Sequence, residues 1–378
     1  MSDPLRGSKR LVIKIGSSLL VDPKNGSLHR EWLQSLCADV AALKGSGSDV
    51  ILVSSGAIAL GRRVLRMKDG LLSLEQSQAA AAAGQVQLAH AYAESLAGKG
   101  VAAAQVLLTL DDSENRRRYL NARATLKTLL ELGAVPVINE NDTVATAEIR
   151  FGDNDRLAAR VASMMAADRL VLLSDVDGLC TADPLRDPAA EHIAEVENIT
   201  PDFEAMAGES VSGFGRGGMA SKLLAAKIAT AAGCEVIVSS GRCAHPIAAI
   251  QGGARRTRFH ASETPAAARK RWIAGGLNPQ GTLVIDEGAA RALTEGKSLL
   301  SAGVKRVEGT FGRGDAVMVR DSDGREVARG LAAYGAADAQ RIAGKHSADI
   351  PTILGYRGRD EIIHRDDLAM TNMIEHAT

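Results

Sequence analysis

The sequence predicts an α/β fold, a mainly parallel doubly wound sheet followed by a small β-rich C-terminal domain, and three observations carry that prediction. Short β-branched runs alternate with long Ala- and Leu-rich stretches over roughly the first 265 residues, the pattern of strand-helix-strand units. Composition then shifts at Gly275-Gly276-Leu277-Asn278-Pro279, a run of turn formers. Beyond it the apolar runs are short and punctuated by glycine. With 378 residues, 46% of them apolar, the chain can bury a sizeable core without staples.

Taken in order, strands are expected over residues 10–15, 50–54, 101–107, 135–138, 169–173 and 235–238. Helices are expected over 28–44, 73–96, 113–132, 155–166 and 219–232. The Ala-rich run 79–83 suits a helix whose backbone packs closely on a neighbour. After a helical stretch at 266–272, further strands are expected over 282–286, 304–308, 316–320 and 327–331, with Asp321-Ser322-Asp323-Gly324 as a hairpin turn. This divides the chain into a first domain 1–265, a linker 266–279, a β-rich domain 280–360 and a C-terminal tail 361–378.

Charge excludes several partner classes. Lys plus Arg (45) balances Asp plus Glu (45), so no global field favours nucleic acid or an anionic membrane, and any phosphate binding must be local. Cys37, Cys180, Cys234 and Cys243 form no C-x-x-C pair and no zinc-finger spacing, which reads as reduced thiols. The apolar run Leu11 to Ile15 contains Lys14 and ends at Gly16, so it does not serve as a signal-peptide core, and no apolar run approaches the roughly 20 residues that span a bilayer. A cytoplasmic location is therefore expected.

Six loops carry candidate chemistry. Val12-Ile13-Lys14-Ile15-Gly16 ends a strand in a cation and a bare turn, where an ammonium and N–H groups can converge on phosphate; an exposed lysine at a strand edge is the plainer alternative. Gly213 to Lys222 satisfies G-x-G-x-x-G, but no clear strand precedes it, and Met219 stands where a P-loop needs lysine. What remains is a bare backbone before a helix, with Lys222 in its first turn, which suits nucleotide phosphates. Ser54-Ser55-Gly56 closes a strand and opens a helix, with Ser55 either an anion donor or a plain cap. Asn139-Glu140-Asn141-Asp142 follows a buried strand at the end where open α/β sheets bind ligands. Gly152-Asp153-Asn154-Asp155 opens a helix with more polar groups than one cap requires. Ser174-Asp175-Val176-Asp177 ends another strand in small and acidic residues. His364-Arg365-Asp366 mimics a protein-kinase catalytic loop, but Thr371 replaces its metal-binding Asn and no D-F-G follows. No histidine falls within the six loops, so acid-base chemistry through imidazole has no support.

With these segments in order, the chain resembles the amino acid kinase family, in the form that carries a C-terminal PUA domain. The resemblance rests on Ile138-Asn139-Glu140-Asn141-Asp142, on Val144 to Ile149 and Gly152-Asp153-Asn154-Asp155, and on Val211-Ser212-Gly213 with Gly217-Gly218-Met219. Lys270-Arg271-Trp272-Ile273, Arg341-Ile342-Ala343-Gly344 and Ile353-Leu354-Gly355-Tyr356 extend it nearly to the end.

The resemblance implies ATP- and Mg²⁺-dependent phosphorylation of the side-chain carboxylate of L-glutamate, the first step of proline synthesis. Lys14, Lys222 and Asp155 would be catalytic, with Asp155 orienting the two lysines. Lys14, Gly16, Ser174, Asp175 and the loop Arg216, Gly217, Gly218, Met219, Ala220, Ser221 and Lys222 would bind ATP. Ser55, Asp142 and Asn154 would hold glutamate. No dedicated protein metal site is expected. Proline as a feedback inhibitor and a homo-dimer or homo-tetramer are implied in the same way. Aspartate or N-acetylglutamate is the alternative acceptor. RNA binding through the PUA domain is a further alternative, although Lys305, Arg306, Arg313 and Arg320 alternate with acids rather than forming a stripe. Two departures bear on the nucleotide pocket: Arg216 where a small residue is expected, and Cys180 where an aromatic is usual.

Overall fold

A computed structural model of the chain describes residues 3–68, 70–144, 154–184, 186–207, 218–275 and 277–371. The chain divides into two compact units, residues 1–265 and 266–378. The first contains β1 (Arg10–Ile15), β2 (Asp49–Ser54), β3 (Ala103–Leu108), β4 (Val135–Glu140), β5 (Arg169–Ser174), β6 (Leu179–Cys180), β7 (His192–Ile193), β8 (Glu195–Val196), β9 (Glu235–Ser240) and β10 (Arg256–Phe259). Eight of these form one sheet in the order β3-β4-β2-β1-β5-β9-β10-β8, parallel at every pairing except β9 with β10. The predicted doubly wound α/β architecture is thus observed.

Helices cover both faces, so the central strands are apolar throughout rather than alternating. Side chains still alternate between faces. Leu11, Ile13 and Ile15 join one core with Leu36, Val40, Leu52 and Tyr92, whereas Val12 joins the other with Ile138, Leu157, Leu172 and Leu223. Lys14, two residues after Val12, therefore projects to the face carrying the helices Asn154–Met165 and Met219–Ala231. From β1 the chain builds β2, β4 and β3 on one side, then crosses to place β5 and β9 on the other. That reversal opens a crevice at the carboxyl ends of β1, β2, β4 and β5.

Beside the crevice, helices Ala57–Val64 and Leu74–Ala97 touch backbone to backbone. A Cβ on Gly61 would lie 1.7 Å from the carbonyl oxygen of Ala80, and one on Gly84 would lie 1.8 Å from that of Ala57. The close packing expected of the Ala-rich run thus requires two glycines as well. Gly56, at φ 106°, makes the turn from β2 into the first of these helices.

Three expectations change. The helix expected over 113–132 is two helices, Leu110–Glu114 and Arg116–Glu131, because Asn115 adopts an extended conformation and caps the second, its side chain accepting from the Arg118 N–H at 3.2 Å. The strands β6, β7, β8 and β10 went unpredicted, being only two to four residues long. The segment 361–378, expected as a tail, supplies two strands of the second unit.

That unit contains β11 (Gly281–Ile285), β12 (Leu299–Leu300), β13 (Val304–Gly309), β14 (Ala316–Arg320), β15 (Glu326–Leu331), β16 (Glu361–Ile363) and β17 (Leu368–Met370). Five form a sheet in the order β13-β11-β14-β15-β17, while β12 pairs with β16. Gly324, at φ 83°, lets β14 turn into β15 as the Asp-Gly signal predicted. Most of the segment expected as a linker is helical, Pro265–Gly275. Its Arg269 pairs with Asp367 at 2.6 Å, with side-chain exposures of only 8% and 5%. His364-Arg365-Asp366 is a local turn in which the Asp366 N–H donates to the His364 ring. Among the described residues, no helix is long and apolar enough to cross a membrane.

Candidate active site

Parallel register aligns the loops that the sequence singled out. Ile15 pairs with Ser54 on one side and Leu173 on the other, and Ser174 pairs with Ser240, so Gly16, Ser55 and Asp175 leave the sheet along one edge. At that edge Lys14 Nζ lies 2.5 Å from one carboxylate oxygen of Asp155. Lys222 Nζ lies 3.1 Å from the other. Ser221 Oγ also donates to that second oxygen, at 3.1 Å. Burial by itself would raise the Asp155 pKa, but Lys14 and Lys222 hold it below the ordinary carboxylate range. Two cations on one carboxylate leave a net positive charge, and both helices point their N-terminal, positive ends the same way. Gly218, the N-cap of the second helix, has no side chain to occupy the first turn's N–H groups.

A second cluster lies beside the first. Asn154 Nδ2 is within reach of three acceptors: the Ser54 carbonyl at 2.8 Å, Ser55 Oγ at 2.8 Å and Asn139 Oδ1 at 2.9 Å. Two hydrogens cannot fully serve three acceptors, so the Ser55 hydroxyl keeps capacity for a ligand. The Oδ1 of Asn154 is buried and has no hydrogen-bond partner among the described residues. Asn139 in turn donates to Gln85 Oε1 at 2.7 Å. Asp142, two residues past β4, has its carboxyl pushed up to about 6 by burial.

At the end of β5, Ser174 Oγ donates to Asp175 Oδ1 at 3.0 Å, with Ser174 buried and Asp175 exposed. Gly16 has an ordinary extended conformation and its N–H donates to the Leu173 carbonyl at 3.3 Å. Met219, Ala220 and Ser221 form the first turn of the Lys222 helix. Arg216 and Gly217 lie outside the described residues, as do residues 145–153. Cys180 is buried in β6. Among the described residues, no three His, Cys, Asp or Glu side chains group to hold a metal ion.

Asn139 sat in a segment that the sequence flagged, but its place in the cluster was not assigned. Gln85 was missed. It lies in mid-helix, where no motif or cap marks it, and only the tertiary approach of its helix to β4 reveals its partner.

Lysines paired on one buried carboxylate and flanked by two helix N-termini suit a polyphosphate, and the amide cluster alongside suits a small polar acceptor. The fold and site define a phosphoryl-transferring α/β enzyme. Residues 9–240 match the amino acid kinase family, and the chain belongs to it. Residues 281–354 match the PUA domain. Curated relatives extend over almost the whole chain. Glutamate 5-kinase of Paramagnetospirillum magneticum is 59% identical over 367 residues, covering 97% of this chain and 99% of that protein. Glutamate 5-kinase of Agrobacterium fabrum is 59% identical over 99% of this chain and 97% of its own. Glutamate 5-kinase 1 of Rhizobium meliloti is 60% identical over 97% and 93%.

Proposed function

We propose that this kinase transfers the γ-phosphoryl group of ATP to the side-chain carboxylate of L-glutamate, giving L-glutamyl 5-phosphate and ADP, the first step of proline synthesis. The observation that carries the proposal is the placement of Lys14 and Lys222 on opposite oxygens of Asp155, directly beside the amide cluster. A glutamate side chain, with a free pKa of about 4.3, is already ionised at neutral pH, so the acceptor needs no general base. Catalysis then reduces to aligning two anions and offsetting charge on the transferring group. Lys14 and Lys222 supply that charge, and Asp155 fixes where their ammonium groups stand. Gly16 and the turn Gly218 to Ser221 offer backbone donors to the phosphates. Ser174 and Asp175 border the nucleotide.

Mg²⁺, when bound, neutralises phosphate charge. The donor chemistry fits an ion held mainly by phosphate oxygens and water, with Asp175 the exposed carboxylate at that edge. On the acceptor side, Ser55, Asn154 and Asp142 hold the substrate. The buried Oδ1 of Asn154 accepts from a ligand N–H, and an ionised Asp142 pairs with an ammonium. That carboxylate favours glutamate over N-acetylglutamate, which has no ammonium.

Phosphate transfer to L-glutamate, L-aspartate and N-acetylglutamate, with hydroxylamine trapping the acyl phosphate, tests the reading. Turnover with free glutamate is expected. Turnover with another acid and none with glutamate contradicts it. Proline feedback inhibition, assembly into dimers or tetramers and a cytoplasmic location belong to the same proposal through the family resemblance. RNA binding by the PUA unit is the second reading, excluded if a shift assay shows none at low salt.

A further inference from the structure

We infer that Gln85 is a positioning residue for the acceptor subsite, fixing which face of Asn154 is presented to the substrate; this rests on the substrate assignment proposed above.

The orientation of two buried side-chain amides has to be specified, because an amide turned over exchanges donor for acceptor. Two backbone groups fix the ends of the chain. The Glu140 N–H can only donate, and it lies 2.9 Å from Asn139, so the atom it meets must be Oδ1. The Ser54 carbonyl can only accept, and it lies 2.8 Å from Asn154, so the atom it meets must be Nδ2. Asn139 Oδ1 facing Asn154 Nδ2 at 2.9 Å agrees with both. Asn139 is therefore left with its NH₂ group pointing at Gln85, whose Oε1 accepts at 2.7 Å.

Asn139 and Asn154 are only 3% and 6% exposed, so a donor deprived of Oε1 has little access to water in exchange. Loss of the acceptor at position 85 frees Asn139 to move, and Asn154 loses the partner that fixes which way its buried Oδ1 faces. Gln85 reaches this place because Gly61 and Gly84, the residue before it, let the two helices meet backbone to backbone. A residue from an interior turn of a long helix thus acts on the substrate through two amides without touching it.

The test compares Gln85→Leu, which removes the acceptor, with Gln85→Glu, which keeps an oxygen at the same reach. For Gln85→Leu, the KM for glutamate should rise about 10-fold or more while the KM for ATP stays within about 2-fold of wild type. Gln85→Glu should restore the glutamate KM to within about 3-fold of wild type. Equal losses for both substrates, or a Gln85→Leu enzyme with wild-type glutamate KM, overturn the inference.

A substrate-free readout separates it from the substrate assignment. The side-chain NH₂ signals of Asn139 and Asn154 in amide NMR spectra, identified by their disappearance in Asn139→Asp and Asn154→Asp, should shift and exchange faster with solvent in Gln85→Leu and return in Gln85→Glu. Unchanged signals overturn the role of Gln85 whatever the acceptor is. If wild type fails to phosphorylate glutamate while these signals respond as expected, the substrate assignment falls and the positioning role stands.

Discussion

Asp155 Oδ2 stands 3.1 Å from Lys222 Nζ, and the other oxygen of the same carboxylate holds Lys14 at 2.5 Å. The carboxylate is 0% exposed, so it is the fixed point from which two cations from different elements are measured. Asp155→Asn leaves both lysines against a neutral amide. The expected loss is about 3–5 kcal/mol of unfolding free energy, read from urea denaturation of the ligand-free chain. Because the folded pKa is lowered, this stabilisation is complete above the unfolded value of about 3.9 and is lost as pH falls through the folded pKa. The variant should lack that acid-dependent part.

Asp142 behaves in the opposite sense. Its folded pKa is raised to about 6, so ionising it costs stability above that pH, and its contribution improves as pH falls from about 6 towards the unfolded value of about 3.9. Binding of an ammonium requires the ionised form. kcat/KM for glutamate should therefore fall below about pH 6 along a one-proton limb, and Asp142→Asn should lose that limb together with much of its glutamate affinity. A limb that persists in the variant assigns it to another group.

Gly84→Ala places a methyl group against the Ala57 carbonyl, whose oxygen would lie only 1.8 Å from the added Cβ. The helices must separate, at a cost of about 1–3 kcal/mol or more in unfolding free energy. Since Gln85 rides on the displaced backbone, the KM for glutamate should rise more than that for ATP. An unchanged denaturation midpoint would show that the two helices have slack.

In the second unit, Asp367→Ala removes the carboxylate that faces Arg269 of the helix Pro265–Gly275 in a nearly water-free position. About 3–5 kcal/mol of stability should be lost. Hydrogen exchange should speed up in that helix and in β17, while the Lys14 strand keeps its protection. Uniform acceleration throughout the chain would contradict a local effect.

The sequence showed the sheet, its parallel character and the loops at its carboxyl edge, because each central strand is a continuous apolar run closed by a glycine or polar turn. It did not show the break at Asn115, since no glycine or proline marks the junction between the acidic turn Leu110–Glu114 and the Arg- and Leu-rich helix Arg116–Glu131. Strands of two to four residues, such as β6 and β17, are too short for any period to register. Lys14, Asp155 and Lys222 stood out as separate loop residues, and alternation along β1 relative to Val12 gives the face they share. Gln85 differs from them in kind. A glutamine inside a helix is locally unremarkable, and its partner on β4 lies 54 positions further along the chain.

The most direct test of the central claim is the single-turnover rate of phosphoryl transfer in Lys222→Ala at saturating ATP and glutamate. If Lys222 acts on charge that develops during transfer, the rate falls by about 10²-fold or more while the dissociation constants for ATP and glutamate change far less. A wild-type rate in the variant would contradict a role for the Lys14–Asp155–Lys222 group in phosphoryl transfer.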